Sequence, residues 1–119
     1  MIKGWALTKR AQYLAVYKSG KTWVDNLIVM KILSNDLEFS RYGFSVAKEV
    51  GKAVVRNRVR RLLKEIARVA TVKSGWDVVF IARPAAASAD YHQLERSMGK
   101  LLSRAHLINK DETVSVGVN

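Results

Sequence analysis

Apolar and polar positions divide the chain into six segments. Ala11, Leu14 and Val16, together with Tyr13 and Tyr17, carry helical spacing after Thr8, a residue type that caps helices. Gly20 stands where such a helix would stop. Trp23 to Leu33 is dense in Val, Ile, Leu and Trp, the mixture of a buried strand, and Ser34-Asn35-Asp36 breaks it. From Arg41 to Val46, large apolar residues alternate with smaller or polar ones, which predicts a second strand with one face buried. On this reading the two strands pair as a hairpin.

Gly51 then interrupts the chain, and Val55, Val59, Leu62, Leu63, Ile66 and Ala70 recur at offsets of 4, 7, 8, 11 and 15 residues, the periodicity of a helix running from about Val54 to Arg68. Trp76 to Ala82 reads as a central strand, stopped by Arg83-Pro84 because proline cannot donate to a ladder. Asp90 can cap a last helix in which Leu94, Met98, Leu101, Leu102 and Ala105 follow helical spacing, and residues 108–119 read as a frayed tail. The predicted order is α-β-β-α-β-α, without internal repeat, low-complexity tract or linker. That is an α+β fold, a two-layer α/β sandwich forming a single domain over residues 1–119.

Composition agrees with a folded domain: 119 residues, 49% hydrophobic, 26% charged and only one Pro. With no Cys there is no disulfide framework, thiolate zinc site or cysteine nucleophile. Met1 to Trp5 lacks the apolar stretch of a signal peptide, and no apolar run approaches the ~20 residues that cross a bilayer, so a cytoplasmic location is expected, with no membrane partner.

Charge changes the picture most. The formal net charge is +11, and it is concentrated: Lys48 to Arg68 carries +6 and residues 1–24 carry +5 with no acidic residue. On the predicted basic helix, Arg56, Arg60, Lys64 and Arg68 form one ridge with Asn57 and Arg61 beside it, opposite the apolar set. A solvated helix face usually mixes Glu with Lys to gain i,i+4 pairs, whereas crowded like charges repel and destabilise an isolated helix. Phosphates placed between the guanidinium groups turn that repulsion into binding, because each neutralised phosphate releases counterions and arginine offers a planar fork.

Duplex DNA would be read by such a helix only with a second helix just before it, and the preceding residues read as a strand hairpin ending in glycine. A membrane-surface helix would show aromatics on its apolar face, and this one shows small branched aliphatics fit for a core. Catalysis by side chains wants a carboxylate pair, a partnered His or a ligand cluster. His92 and His106 are 14 residues apart, Asp36 and Glu38 flank a turn without an evident partner, and Asp111-Glu112 falls in the tail. No catalytic residue, protein-held metal or small-molecule substrate is expected.

The stretch Val46-Ala47-Lys48-Glu49-Val50-Gly51-Lys52-Ala53-Val54-Val55-Arg56-Asn57-Arg58-Val59-Arg60-Arg61 resembles the signature of the protein subunit of bacterial ribonuclease P, centred on Arg56-Asn57-Arg58. The resemblance covers nearly the whole chain, since the aromatic pair of the first helix, the Gly75-Trp76-Asp77 to Ala82-Arg83 strand and the final helix fall in the family's order. The chain departs from the family pattern at Ala47, Glu49 and Lys52, where the family often has Ser, Lys and a cap-forming Asn.

The resemblance implies an α/β sandwich with a left-handed βαβ crossover around the basic helix. It implies a subunit that joins a large catalytic RNA and helps it release the 5′ leader of precursor tRNA, with the RNA performing the chemistry and holding most of the magnesium. Carried onto this chain, Lys48, Lys52, Arg56, Asn57, Arg58, Arg60, Arg61, Lys64 and Arg68 would be RNA-binding. Tyr13 and Tyr17 would line a cleft against the sheet and contact the leader, as suits rings that stack on a base of any sequence; the alternative for both is a place in the core. A ribosomal-type RNA-binding protein with no role in cleavage is the other functional reading.

Overall fold

The computed structural model describes residues 5–108. Three helices, α1 (Arg10–Ser19), α2 (Ala53–Val69) and α3 (Tyr91–Arg104), accompany four strands, β1 (Lys21–Val24), β2 (Ile28–Ser34), β3 (Arg41–Ser45) and β4 (Trp76–Ala82). The α+β class stands, with one strand more than the sequence reading gave. Trp23 to Leu33 is two strands folded on each other, because the Asp25 Oδ1 accepts the Asn26 N–H at 2.7 Å and the Asp25 N–H donates to the Ile28 carbonyl at 2.8 Å. These turn contacts prevail over the apolar density around them.

The expected partner of the second predicted strand is also different. The sheet order is β1-β2-β4-β3, so β4 lies between β2 and β3, antiparallel to the first and parallel to the second. The hairpin is β1 with β2. Parallel pairing of β3 with β4 requires a long connection, which α2 supplies. The N-terminal segment covers the outer edge of β3: Tyr42 N–H donates to the Trp5 carbonyl at 2.7 Å and Leu7 N–H to the Tyr42 carbonyl at 2.8 Å.

Alternation along the strands assigns the two faces. Ile28, Met30 and Ile32 of β2, Tyr42 and Phe44 of β3, and Val78, Phe80 and Ala82 of β4 pack with α2 and α3, whose Val59, Leu63, Ile66, Leu94, Met98 and Leu101 are fully buried. The other face carries a smaller cluster in which α1 places Val16 and Tyr13 against Val79, Leu33 and Ile81. Gly20 lets the end of α1 close on the sheet: a Cβ there would lie 2.5 Å from the Val16 carbonyl oxygen and 2.6 Å from that of Ile32.

The helix ends differ in how well the sequence announced them. Asp90 caps α3 as expected, accepting the Gln93 N–H at 2.8 Å while Gln93 Oε1 accepts the Asp90 N–H at 2.9 Å, a reciprocal capping box. Thr8 does not cap α1. The helix starts later, and Gln12 Oε1 reaches back to accept the Thr8 and Lys9 N–H groups at 2.9 and 3.0 Å. Ile108, assigned to the frayed tail, is buried beside Leu107, whose carbonyl accepts the Lys73 N–H at 2.9 Å. Residues 109–119 of that tail lie outside the described residues.

One polar centre ties the β2–β3 connection to the sheet. Arg41 donates to both oxygens of Asp77 at 2.8 Å, and Asn35 Nδ2 donates to Asp77 Oδ1 at 2.9 Å while Asn35 Oδ1 accepts the Leu37 N–H. The hydrogen bond to Asp77 raises the Arg41 pKa beyond its ordinary value. With the Asp77 side chain only 7% exposed, removing it takes the ion-pair partner from the part-buried Arg41 guanidinium and leaves Asn35 Nδ2 with the Phe39 carbonyl alone, at 3.2 Å. Asp77→Ala is therefore expected to cost about 2–4 kcal/mol of stability, measured by urea unfolding. A loss within measurement error would show that the network contributes nothing to the fold.

Candidate nucleic-acid interface

The order of α2 follows from its two faces. Val59, Leu63, Ile66 and Ala67 are buried against the sheet and α3. At about 100° per residue, Arg56 starts at the margin of this buried face, between Leu63 and Ala67, and Arg60, Lys64 and Arg68 step about 40° at a time toward the opposite side, where Asn57 and Arg61 also lie. Asn57, Arg61, Lys64 and Arg68 are exposed, and Arg56 and Arg60 are half-buried at the margin of the core. The predicted ridge is present. Lys48 in the 3-10 turn Lys48–Val50 and Lys52 at the N-cap, both exposed, extend it past the helix N-terminus.

Little among the described residues neutralises this arc. Among the described residues, Arg68 alone of the arc pairs with a carboxylate, that of Glu65 one turn earlier, and both side chains are about half exposed. Such a pair is worth little in water. Arg60 donates to Asn57 Oδ1 at 3.0 Å and Arg56 Nε donates to the Gly51 carbonyl at 3.1 Å, contacts that orient the side chains without removing charge. No side chain caps α2 at Lys52, so the helix N-terminus adds its own partial positive charge to the lysines around it.

Arg58 departs from the group. It sits about 200° around the helix from Arg56, on the flank toward α3 and outside the arc. Its guanidinium donates to the Ala89 carbonyl at 2.8 Å and to that of Ala87 at 3.4 Å, part-buried against the turn before α3. The sequence reading grouped it with its neighbours because motif adjacency says nothing of which side of the helix a residue takes. On the same flank, burial pushes the Tyr91 phenol up, the Glu95 and Glu65 carboxylates add to the shift, and Arg68 opposes it.

A second feature lies on the opposite face of the sheet. Tyr13 leans over β3 so closely that a Cβ on Gly43 would meet its ring at 2.6 Å, and its ring centroid is 6.3 Å from that of Tyr17. Tyr13 is half-buried and Tyr17 is 38% exposed, so the pair lies at the surface rather than in the core. Pairing register sets a row Thr22, Lys31, Val79, Gly43 across this face, followed by the row Val24, Val29, Ile81, Ser45. The second row lies at the end of the sheet where β3 leaves for Lys48 and α2.

Lys31 was missed from the sequence. Its Nζ donates to Thr22 Oγ1 at 2.8 Å, on the α1 side of the sheet. Strict alternation within 28–34 puts Lys31 on the face opposite Met30 and Ile32, a signal the sheer density of apolar residues concealed.

A family model described as Ribonuclease P matches residues 1–106. The chain belongs to the ribonuclease P protein family. It is 47% identical over 110 residues to the ribonuclease P protein component of Dehalococcoides mccartyi strain CBDB1, covering 92% of each chain, and 44% identical over 108 residues to that of Caldanaerobacter subterraneus, covering 89% and 93%. Its fold superposes on the RNase P protein of Staphylococcus aureus with a TM-score of 0.82 at 28% identity, covering 90% of this chain and all of that one. The Thermotoga maritima protein gives 0.74 at 29% identity over 83% and 96%.

Family membership makes the chain a tRNA-processing subunit of a ribonucleoprotein endoribonuclease, with an RNA partner. Among the described residues no three His, Asp or Glu side chains come together. No helix among them is long and apolar enough to cross a membrane.

An RNA seated on the α2 arc would lose one phosphate contact with each arginine removed. Arg61→Ala is expected to weaken binding to a ribonuclease P RNA transcript and to flatten the dependence of log K on log salt by about one unit. Weaker binding with an unchanged slope would take Arg61 out of the interface.

Proposed function

We propose that this chain assists removal of the 5′ leader from precursor tRNA by holding the catalytic RNA on the α2 arc and the single-stranded leader on the sheet face beside Tyr13 and Tyr17. The observation that carries the reading is the arc of outward cations, largely uncompensated, on a helix whose far side is locked in the core. Lys48, Lys52, Arg56, Asn57, Arg60, Arg61, Lys64 and Arg68 supply the contacts: arginine forks for phosphate oxygens, lysines as point charges, Asn57 as a neutral donor and acceptor. Charge of this kind attracts RNA at long range and holds it at contact.

The face beside these tyrosines has the chemistry for an unpaired strand. A base stacked on an aromatic ring gains roughly 1–3 kcal/mol whatever its identity, which suits leaders that differ in sequence. Tyr13 and Tyr17 offer such rings at i,i+4 on α1, the row Val24, Val29, Ile81, Ser45 offers a partly apolar floor, and Lys31 offers one cation. Because this floor ends near the start of α2, a leader leaving this face meets the basic helix.

The protein binds and orients, and no side chain takes part in bond breaking. Magnesium, held mainly by the RNA, supplies the activated water and the charge stabilisation of phosphodiester hydrolysis. We place this work in the cytoplasm. A structural, ribosomal-type RNA-binding role accounts for the arc equally well and leaves the partly exposed tyrosine pair without a purpose.

Two measurements separate these readings. With the catalytic RNA at low magnesium, adding the protein is expected to raise the rate of leader removal or the affinity for precursor tRNA, and no gain in either would leave only the structural role. Tyr13→Ala is expected to weaken the holoenzyme's binding of leader-bearing substrate by roughly five- to a hundredfold, the equivalent of one lost stack, and to leave mature tRNA unaffected. Equal losses on both ligands would return Tyr13 to the core.

A further inference from the structure

We infer that Arg58 is a positioning residue: its guanidinium locks α2 against the turn that leads into α3 and so sets the rotation that aims the basic arc outward, without meeting RNA itself. The inference rests on the RNA-binding reading of α2 and assigns a different job to the last residue of Arg56-Asn57-Arg58.

The carbonyls that Arg58 meets have a reason to need it. Residues Pro84–Ser88 form a 3-10 turn that ends at Ala89, and α3 begins two residues later. A turn that stops leaves its last carbonyls without following helical N–H groups. The Asp90 N–H, next in line, is committed to Gln93 Oε1 at 2.9 Å, and the Gln93 N–H to Asp90 Oδ1. Arg58 reaches across 31 residues of sequence to donate to the Ala89 carbonyl at 2.8 Å, and the same fork also reaches that of Ala87. A fork can serve two nearby oxygens at once; a lysine ammonium at the end of a flexible stem has no such geometry.

Position on the helix gives these bonds their effect. Arg58 lies on the α3 flank, while Arg56, near the opposite margin of the arc, ties to the Gly51 carbonyl with its Nε. α2 is thus held at both shoulders, by Arg56 toward the turn that enters it and by Arg58 toward the turn that enters α3. The buried stripe of Val59, Leu63 and Ile66 fixes which side faces the sheet, but apolar contact is non-directional and tolerates some rolling. Hydrogen bonds at both edges do not.

The test compares Arg58→Met, which keeps the apolar stem, Arg58→Lys, which keeps the charge, and Arg61→Ala, all binding a ribonuclease P RNA transcript across a salt series. Measurements are made well below each variant's unfolding temperature. Arg58→Met is expected to lose roughly three- to tenfold in affinity with an unchanged salt slope, to melt at a lower temperature, and to exchange its 89–91 amides faster. Arg58→Lys is expected to rescue neither affinity nor amide protection. A slope reduced by about one unit, or affinity restored by lysine, would make Arg58 a phosphate contact and overturn the inference. A lower melting temperature with wild-type affinity would overturn it too, leaving Arg58 a purely structural residue. If Arg61→Ala also left affinity and slope untouched, the fault would lie in the RNA-binding reading of α2 itself.

Discussion

Like charges on consecutive turns of one helix are the constraint around which this molecule is organised. Arg56, Arg60, Arg61, Lys64 and Arg68 lie on or beside neighbouring turns with Glu65 as the one carboxylate of α2, an arrangement that opposes the helix in isolation. What holds it is on the other side: Val59, Leu63 and Ile66 are fully buried, and a stripe of that size stabilises by several kcal/mol, against penalties of a few tenths of a kcal/mol for each repulsive pair. Packing therefore decides the helix, and among the described residues most of its charge meets no carboxylate.

The sheet converts that packing into a shape. By inserting β4 between β2 and β3, the chain routes α2 from the end of one strand to the start of its parallel neighbour, so the basic helix crosses one face while α1 crosses the other. Both features of interest then meet near one end of the sheet: the start of α2 with Lys48 and Lys52, and the row Val24, Val29, Ile81, Ser45 beside the tyrosines of α1. The basic helix and the exposed tyrosines of α1 thus lie on opposite faces of the sheet and approach each other at one of its ends.

Much of this was legible in the residues, and what was not has identifiable causes. The period of Val55, Val59, Leu62 and Ile66 and the capping residue Asp90 speak locally, so α2 and α3 were readable where they stand. Strand pairing is not local. Nothing in Ile28–Ser34 or Arg41–Ser45 says that a strand more than thirty residues later separates them. The β1–β2 turn was hidden because Asp25 and Asn26 are two polar residues in a strongly apolar run, and their effect depends on one carboxylate accepting one N–H. At the interface, the arc followed from periodicity, while the inward turn of Arg58 depended on carbonyls of Ala87 and Ala89 supplied by a distant segment.

A direct examination of the central claim, that RNA lies along the outer side of α2, is open because the chain contains no cysteine. A single cysteine introduced at Lys64 carries a tethered hydroxyl-radical source, and a second variant carries it at Arg96, exposed on α3. In the complex with a ribonuclease P RNA transcript, the probe at position 64 is predicted to cut a few defined backbone positions and the probe at 96 to cut none of them. Defined cuts from 96 and none from 64 would place the RNA elsewhere and contradict the account.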